Sequence, residues 1–269
     1  MHETIRFSAT EDLAALADHL RALHTSSDPL VLVNVWDAAS AQQVGAAGGR
    51  AIATSSAAVA ASLGVADDNT MGPTVAFDAL RRVCAVASVP VTADLEGGYG
   101  LGASELVESL LAAGAVGCNI EDSDHRRPGT LLDAHAHAER LGAIREAAHQ
   151  VGVGVVLNAR IDTLLHASDE PAAVVDETIE RARLYAEAGA DCVYPVSLTD
   201  PQLIAELSPR VAVALNVNKS PSTSIAELGA AGASRISVGP MAHTQLMAHF
   251  GRRAAELLGG GDVGHPPVT

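Results

Sequence analysis

The residues able to do chemistry lie where apolar runs give way to acids, hydroxyls or glycine. In Val89-Pro-Val-Thr-Ala-Asp94-Leu-Glu96-Gly-Gly-Tyr-Gly100, an apolar run ends in two acids one residue apart and then a glycine-rich turn. Side chains alternate along a strand, so Asp94 and Glu96 are expected on one face. Two carboxylates projected together repel each other unless a cation sits between them. Mg2+ suits such a pair, since it takes one or two carboxylates and keeps several waters. Taken alone, Asp-x-Glu reads equally well as two solvated acids.

Other run ends carry similar groups. Thr54-Ser55-Ser56 offers hydroxyls suited to a carboxylate, with Asp67 further on. Then come Glu121-Asp122, Asn158-Ala-Arg160-Ile-Asp162, Pro195-Val-Ser197, Asn216-Val-Asn218-Lys219 and Gly239-Pro240. Arginine's planar fork holds a carboxylate bidentately. Singly, each residue fits a cap or a surface role. Gathered at one place, the acids and Arg160 would form a metal site beside a carboxylate clamp.

The elements that would gather them are legible. Leu13, Leu16, Leu20 and Leu23 recur at helical spacing within 10–24. Continuous apolar runs at 30–36, 51–54, 89–94, 116–120, 153–158, 192–196, 211–217 and 235–238 read as parallel strands buried on both faces. Helical stretches alternate with them. A weak repeat of small residues (45–48, 112–115, 187–190 and 229–232) closes the helix before every second strand, where glycine supplies a left-handed cap. Eight such units in about 250 residues predict an α/β fold, the (β/α)8 TIM barrel, whose function sits at the carboxyl ends of its strands. A doubly wound open sheet fits less well, because no G-x-G-x-x-G follows the first strand. Residues 1–258 are expected to form one barrel domain, with 259–269 a flexible glycine- and proline-bearing tail.

Composition narrows the partners. The 269 residues are 48% hydrophobic, enough for a sizeable core, and carry a net charge of -15. That field disfavours nucleic acid and anionic membranes, though a bound cation can locally reverse it for an anionic substrate. No run approaches the length of a membrane span, and residues 1–8 contain no apolar signal-peptide core. Cys84, Cys118 and Cys192 are odd in number and far apart, which suggests neither a disulfide framework nor a metal spacing. A reducing cytoplasm is the expected compartment.

Five motifs carry a specific resemblance. They are Asn34-Val-Trp36-Asp-Ala-Ala-Ser40, Thr54-Ser-Ser56 with Ser62-Leu-Gly64, Asp94-Leu-Glu-Gly-Gly-Tyr-Gly100, Asn119-Ile-Glu-Asp122 and Asn158-Ala-Arg160. In this order they resemble the isocitrate lyase/phosphoenolpyruvate mutase superfamily over roughly residues 30–239. The resemblance implies a (β/α)8 barrel whose C-terminal helix is swapped between subunits, in a dimer of dimers (a homotetramer). It also implies a small 2-oxo or 2-hydroxy acid substrate and Mg2+, with Mn2+ as a substitute, stabilising an enolate. By motif, Asp94 would bind the metal directly, while Asp67, Glu96 and Glu121 would hold its waters. Arg160, Ser55 and Ser56 would grip the substrate carboxylate, Trp36 would line the pocket, and Ser197 is a further substrate-binding candidate.

Two departures shape the functional expectation. Glu96 stands where the superfamily often has Asp. The lyases' K-K-C-G-H loop, whose Cys is the acid/base, is replaced by Ser123-Asp-His-Arg-Arg-Pro-Gly-Thr-Leu-Leu132. His125 is the candidate acid/base in its place, against a plain solvated loop histidine. Arg126 and Arg127 could meet a second anionic group or simply face solvent. His135, His137 and His149 read as exposed helix positions, and His243 as a residue at the edge of the site. The expected activity is a Mg2+-dependent carbon–carbon lyase. The alternatives are P–C bond chemistry, a 2-oxo acid binder without catalysis, and a Schiff-base aldolase using Lys219, the only lysine.

Overall fold

Short apolar segments form nine strands in the computed structural model, which describes residues 10–166 and 174–262. They are β1 (Leu30–Leu32), β2 (Asn34–Val35), β3 (Ile52–Thr54), β4 (Val91–Asp94), β5 (Gly117–Glu121), β6 (Val156–Ile161), β7 (Cys192–Pro195), β8 (Ala214–Asn218) and β9 (Arg235–Ser237). Every neighbouring pair is parallel. The expected first strand is broken at Val33. Its β1 half pairs with β9 and its β2 half with β3, so this single stave brings the two ends of the sheet together. Asn34 ties the seam: its Oδ1 accepts the N–H groups of Val238 (3.2 Å) and Gly239 (2.9 Å), and its Nδ2 donates to the Thr54 carbonyl at 2.8 Å. The result is a nearly closed (β/α)8 barrel of eight staves.

Among the described residues, ten α-helices surround or cap it: α1 (Thr10–Ala22), α2 (Ala38–Ala46), α3 (Ser56–Leu63), α4 (Pro73–Cys84), α5 (Ala103–Ala113), α6 (Ala134–Gln150), α7 (Val175–Glu187), α8 (Pro201–Leu207), α9 (Ile225–Ala230) and α10 (Met241–Leu258). The small-residue repeat does what its composition predicts. Gly48, Gly114, Gly189 and Gly232 all adopt left-handed φ, from 86° to 111°, just before the chain re-enters the sheet. At Gly232 a Cβ would also collide with the Ser208 side chain, so close packing adds to the conformational demand.

Leucine, valine and alanine fill the layer between helices and sheet, whereas the barrel interior is partly polar. Asn158 Nδ2 donates to Asn119 Oδ1 at 2.7 Å, and the fully buried Arg235 donates to the same oxygen at 3.2 Å. Beneath them, α1 lays Leu20 on Gly117, where a Cβ would sit 2.8 Å from Leu20 Cδ2. Cys118 and Cys192 are buried free thiols, as expected.

Several expectations need correction. Strands β6 and β8 begin at Val156 and Ala214, later than the apolar runs at 153 and 211, and β6 continues to Ile161, so Arg160 lies within a strand. His137 is not exposed: it lies in α6 in register with Leu141, Ile144 and Ala148, the buried stripe of that helix. Its ring meets Tyr185 edge-on at 4.9 Å, and burial pushes its pKa down to about 3. Residues 263–269 of the expected tail lie outside the described residues, as do residues 1–9. Among the described residues, no helix is long and apolar enough to cross a membrane.

Candidate active site

The carboxyl ends of the strands surround a cavity of about 460 Å3 lined by, among others, Ser55, Ser56, Asp67, Asp94, Arg160 and Ser197. Six of the residues singled out by sequence thus share one wall system. Glu96, Glu121 and His125 sit immediately behind it. Trp36 does not line it; its indole packs edge-on against His243 of α10, with ring centroids 4.8 Å apart.

Asp94 is the last residue of β4. Its Oδ2 accepts from the Ser56 amide at 3.2 Å and the Ser56 hydroxyl at 3.0 Å. Ser56 opens α3, and Ser55 caps that helix by accepting from the Ala58 amide. The N-terminus of a helix therefore faces the carboxylate. It also means that Ser56, assigned by motif to a substrate carboxylate, is engaged by Asp94 here. The other Asp94 oxygen, Oδ1, is buried without a hydrogen-bond partner.

Glu96 does not reach the site by strand alternation, since β4 ends at Asp94. Glu96 adopts a left-handed φ of 50°, unusual for a residue with a side chain, and the turn swings its carboxyl group inward. Its Oε2 accepts from the Asn69 amide, and Asn69 Oδ1 in turn accepts from the Tyr99 amide at 2.9 Å. The four non-glycine residues with positive φ among the described residues, Asn69, Glu96, Tyr99 and Ser197, all lie at this end of the barrel. Strained backbone concentrates where side chains must be aimed.

Glu121 ends β5 and is held from two sides. Its Oε1 lies 2.7 Å from His125 Nε2, and its Oε2 lies 2.6 Å from Arg160 Nη1. Arg160 also donates from Nε and Nη2 to Asp162, at 2.6 and 3.1 Å. Asp122 points the other way, as alternation demands, and is buried among Tyr185 (2.8 Å), Arg181 (3.1 Å) and the Asp162 amide (2.9 Å). That acid is structural.

The loop after β5 places His125 against the backbone of Gly97, where a Cβ would stand 3.0 Å from the imidazole Cδ2. His125 is therefore a packed residue rather than a solvated one. Arg126 and Arg127 both donate to the buried Asp124 and do not line the cavity.

The electrostatics follow from crowding. Burial, then the neighbouring Asp67, pushes Glu96 up to about 7. Desolvation and Asp94 raise Asp67, while burial raises Glu121 against the pull of His125 and Arg160. His125 is raised chiefly by its hydrogen bond to Glu121. Burial works against the Arg160 cation, but Glu121 and Asp162 more than offset it. Acids with raised pKa values beside two orphaned carboxylate oxygens, Asp94 Oδ1 and Glu96 Oε1, form a hard oxygen donor set that fits Mg2+ or Mn2+. Among the described residues, no group of three His, Cys, Asp or Glu side chains stands close enough together to hold a metal ion directly. Such spacing suits a cation that keeps much of its water.

Residues missed by sequence reasoning include Asn69, which positions Glu96, and Arg235, buried inside the barrel. Neither has a local signal, because each acts through contacts distant in sequence.

The fold and site define a (β/α)8 barrel with an acid cluster, an arginine and a histidine at the carboxyl ends of adjacent staves. Residues 20–258 match the family described as phosphoenolpyruvate phosphomutase, and the chain belongs to that family, within the isocitrate lyase/phosphoenolpyruvate mutase superfamily. It is 31% identical to 2-methylisocitrate lyase of Escherichia coli over 211 residues, covering 74% of this chain and 68% of that one. The crystal structure of a candidate phosphonomutase from Burkholderia cenocepacia J2315 superposes with a TM-score of 0.85 at 38% identity, covering 89% of this chain and 99% of that one. The structure of 2,3-dimethylmalate lyase gives a TM-score of 0.82 at 26% identity, covering 94% and 90%.

Proposed function

We propose that the protein is a divalent-cation-dependent carbon–carbon lyase acting on a small 2-hydroxy or 2-oxo acid. The observation that carries this is Glu121, gripped by His125 and Arg160 beside the orphaned Asp94 oxygen. Asp94 would hold Mg2+ or Mn2+ directly, with Asp67, Glu96 and Glu121 holding its waters. Bound there, the cation supplies positive charge where negative charge develops on the substrate oxygen.

The chain's own residues do the rest. Arg160 lines the cavity, and the N–H groups not engaged by Glu121 and Asp162 can fork onto a substrate carboxylate. Ser55 and Ser197 add polar contacts at the cavity wall. His125, its pKa raised by the hydrogen bond to Glu121, acts with Glu121 to return to the enolate carbon the proton that the substrate hydroxyl gives up as the carbon–carbon bond breaks. It thereby takes the place of the cysteine that the lyase loop carries.

A panel of 2-hydroxy acids, assayed for release of pyruvate or glyoxylate, tests the proposal. Turnover that falls about 10²–10⁴-fold in His125→Gln with the fold intact supports it. A panel with no turnover, or a His125→Gln variant as active as the wild type, would sink it. P–C bond chemistry is the second reading, favoured by the likeness to the candidate phosphonomutase; 3-phosphonopyruvate belongs in the same panel.

The assembly can be proposed on independent grounds. Helix α10 buries none of its residues and exposes Leu246, Met247, Phe250 and Leu258. Between α2 and α9, where the eighth helix of a barrel would pack, lies an open groove of about 680 Å3 lined by Pro29, Val31, Val33, Val44 and Ile225. Exchange of α10 between two copies would cover both surfaces, consistent with a dimer of dimers. Phe250→Glu should then shift the protein to smaller species in sedimentation; an unchanged mass would contradict the exchange.

A further inference from the structure

Two cations line the cavity above the strand ends, Arg160 and Lys219. Arg160 is engaged on both edges by Glu121 and Asp162. Lys219 has no acid within ion-pair distance among the described residues; its Nζ donates only to the Ser220 carbonyl. An ammonium carries three donors, so two remain free.

The position of Lys219 is fixed from several sides. Its own amide donates to the Ser237 carbonyl at 2.9 Å. The adjacent Asn218 donates to Tyr194 Oη at 2.8 Å and accepts from the Ser197 amide at 2.8 Å. Counting staves from the broken first strand, β4 is the third and β8 the seventh of eight. Asp94 and Lys219 therefore stand on opposite walls of one cavity. Thr199 and Ser197 lie beside Lys219 in that lining and offer neutral hydroxyls.

We propose that Lys219 anchors a second anionic group of the substrate, across the cavity from the acid cluster. The site then selects 2-oxo or 2-hydroxy acids ending in a carboxylate or phosphonate over the corresponding monoacids. Lys219 acts as a fixed point charge rather than as a Schiff-base amine. This selectivity rests on the function proposed above, in which the acid cluster and its cation hold the 2-oxo acid end.

Calorimetric titration in Mg2+ tests it with four probes: oxalate, 2-oxopentanoate, 2-oxoglutarate and 3-phosphonopyruvate. The two five-carbon probes differ only in the terminal carboxylate. The wild type should bind 2-oxoglutarate at least about tenfold more tightly than 2-oxopentanoate, as expected for one charge-assisted contact. Lys219→Met should abolish that preference, and Lys219→Arg should keep most of it. Tighter, Lys219-dependent binding of 3-phosphonopyruvate than of 2-oxoglutarate identifies the second group as a phosphonate; the reverse order identifies it as a carboxylate. A wild type without preference for the diacid, or a preference that survives Lys219→Met, overturns the proposal. So does a borohydride-trapped adduct of 2-oxopentanoate on Lys219. Oxalate separates the two claims. If it fails to bind the wild type while the Lys219-dependent preference persists, the proposed metal end is wrong and the anion anchor stands. If it binds and no preference appears, only the anchor falls.

Discussion

Arg160 Nη1 lies 2.6 Å from Glu121 Oε2 because the parallel register of β5 and β6 sets those two residues directly opposite each other. The same guanidinium holds Asp162 through Nε and Nη2. One arginine thus pairs with two buried acids and orients the carboxylate that reaches His125. Position along the sheet, rather than loop folding, fixes this geometry.

Removing that cation should cost stability as well as activity. Arg160→Met leaves Glu121 and Asp162 buried without their main counter-charge, a loss of about 3–5 kcal/mol by the usual measure of a broken buried pair. Arg160→Lys keeps the charge but not the fork, so it should recover much of the stability and little of the activity. Urea denaturation of the two variants checks this. Equal midpoints for wild type and Arg160→Met would contradict the bridging role.

Gly97→Ala isolates the placement of His125. The backbone at Gly97 is acceptable to alanine, but the new Cβ would stand 3.0 Å from His125 Cδ2 and 3.4 Å from Nε2. The imidazole must shift, and its 2.7 Å contact with Glu121 should lengthen. Turnover is expected to fall about tenfold or more, since small misplacements are costly in catalysis. Stability should change by less than about 1 kcal/mol, within the range of ordinary substitutions. Full activity in this variant would show that the position of His125 does not matter.

Acid sensitivity has an identifiable source outside the site. His137 is buried with its pKa near 3, and His24, partly buried, has a pKa near 4. The unfolded chain takes up these protons near pH 6.5, so their effect on stability is nil well above that value and grows as the pH falls below it. By pH 5, neutral His137 costs about 2 kcal/mol of folding free energy, and the less buried His24 costs less. Glu96, raised to about 7, acts in the opposite sense, so the informative comparison is with a variant. His137→Phe should lose less stability than the wild type between pH 7.5 and pH 5 in urea titrations. An identical loss in both proteins would rule out His137 as the cause.

The barrel was legible because its signals are periodic and local: continuous apolar strands, and small residues where each helix turns back. The strand-end residues were legible for the same reason, since a barrel assigns function to those ends whatever their sequence separation. Strand alternation misdescribed Glu96, however, because the strand stops at Asp94 and a left-handed turn takes over. His137 looked exposed because a histidine in a polar helix gives no local sign that its face is buried. The pairing of Ser56 with Asp94, the packing of His125 on Gly97 and the placement of Trp36 against His243 depend on contacts between segments. Sequence periodicity carries no information about these.

The central claim is that Asp94 and its neighbouring acids hold a divalent cation that binds the 2-oxo acid end of a substrate. Thermal unfolding with oxalate, with and without Mg2+, on the wild type and Asp94→Ala tests it most directly. Oxalate is planar, doubly charged and shaped like a pyruvate enolate, and a ligand bound only to the folded state raises the melting temperature by mass action. The account predicts a rise that requires both Mg2+ and Asp94. No rise in the wild type with Mg2+, or an equal rise in Asp94→Ala, would contradict it.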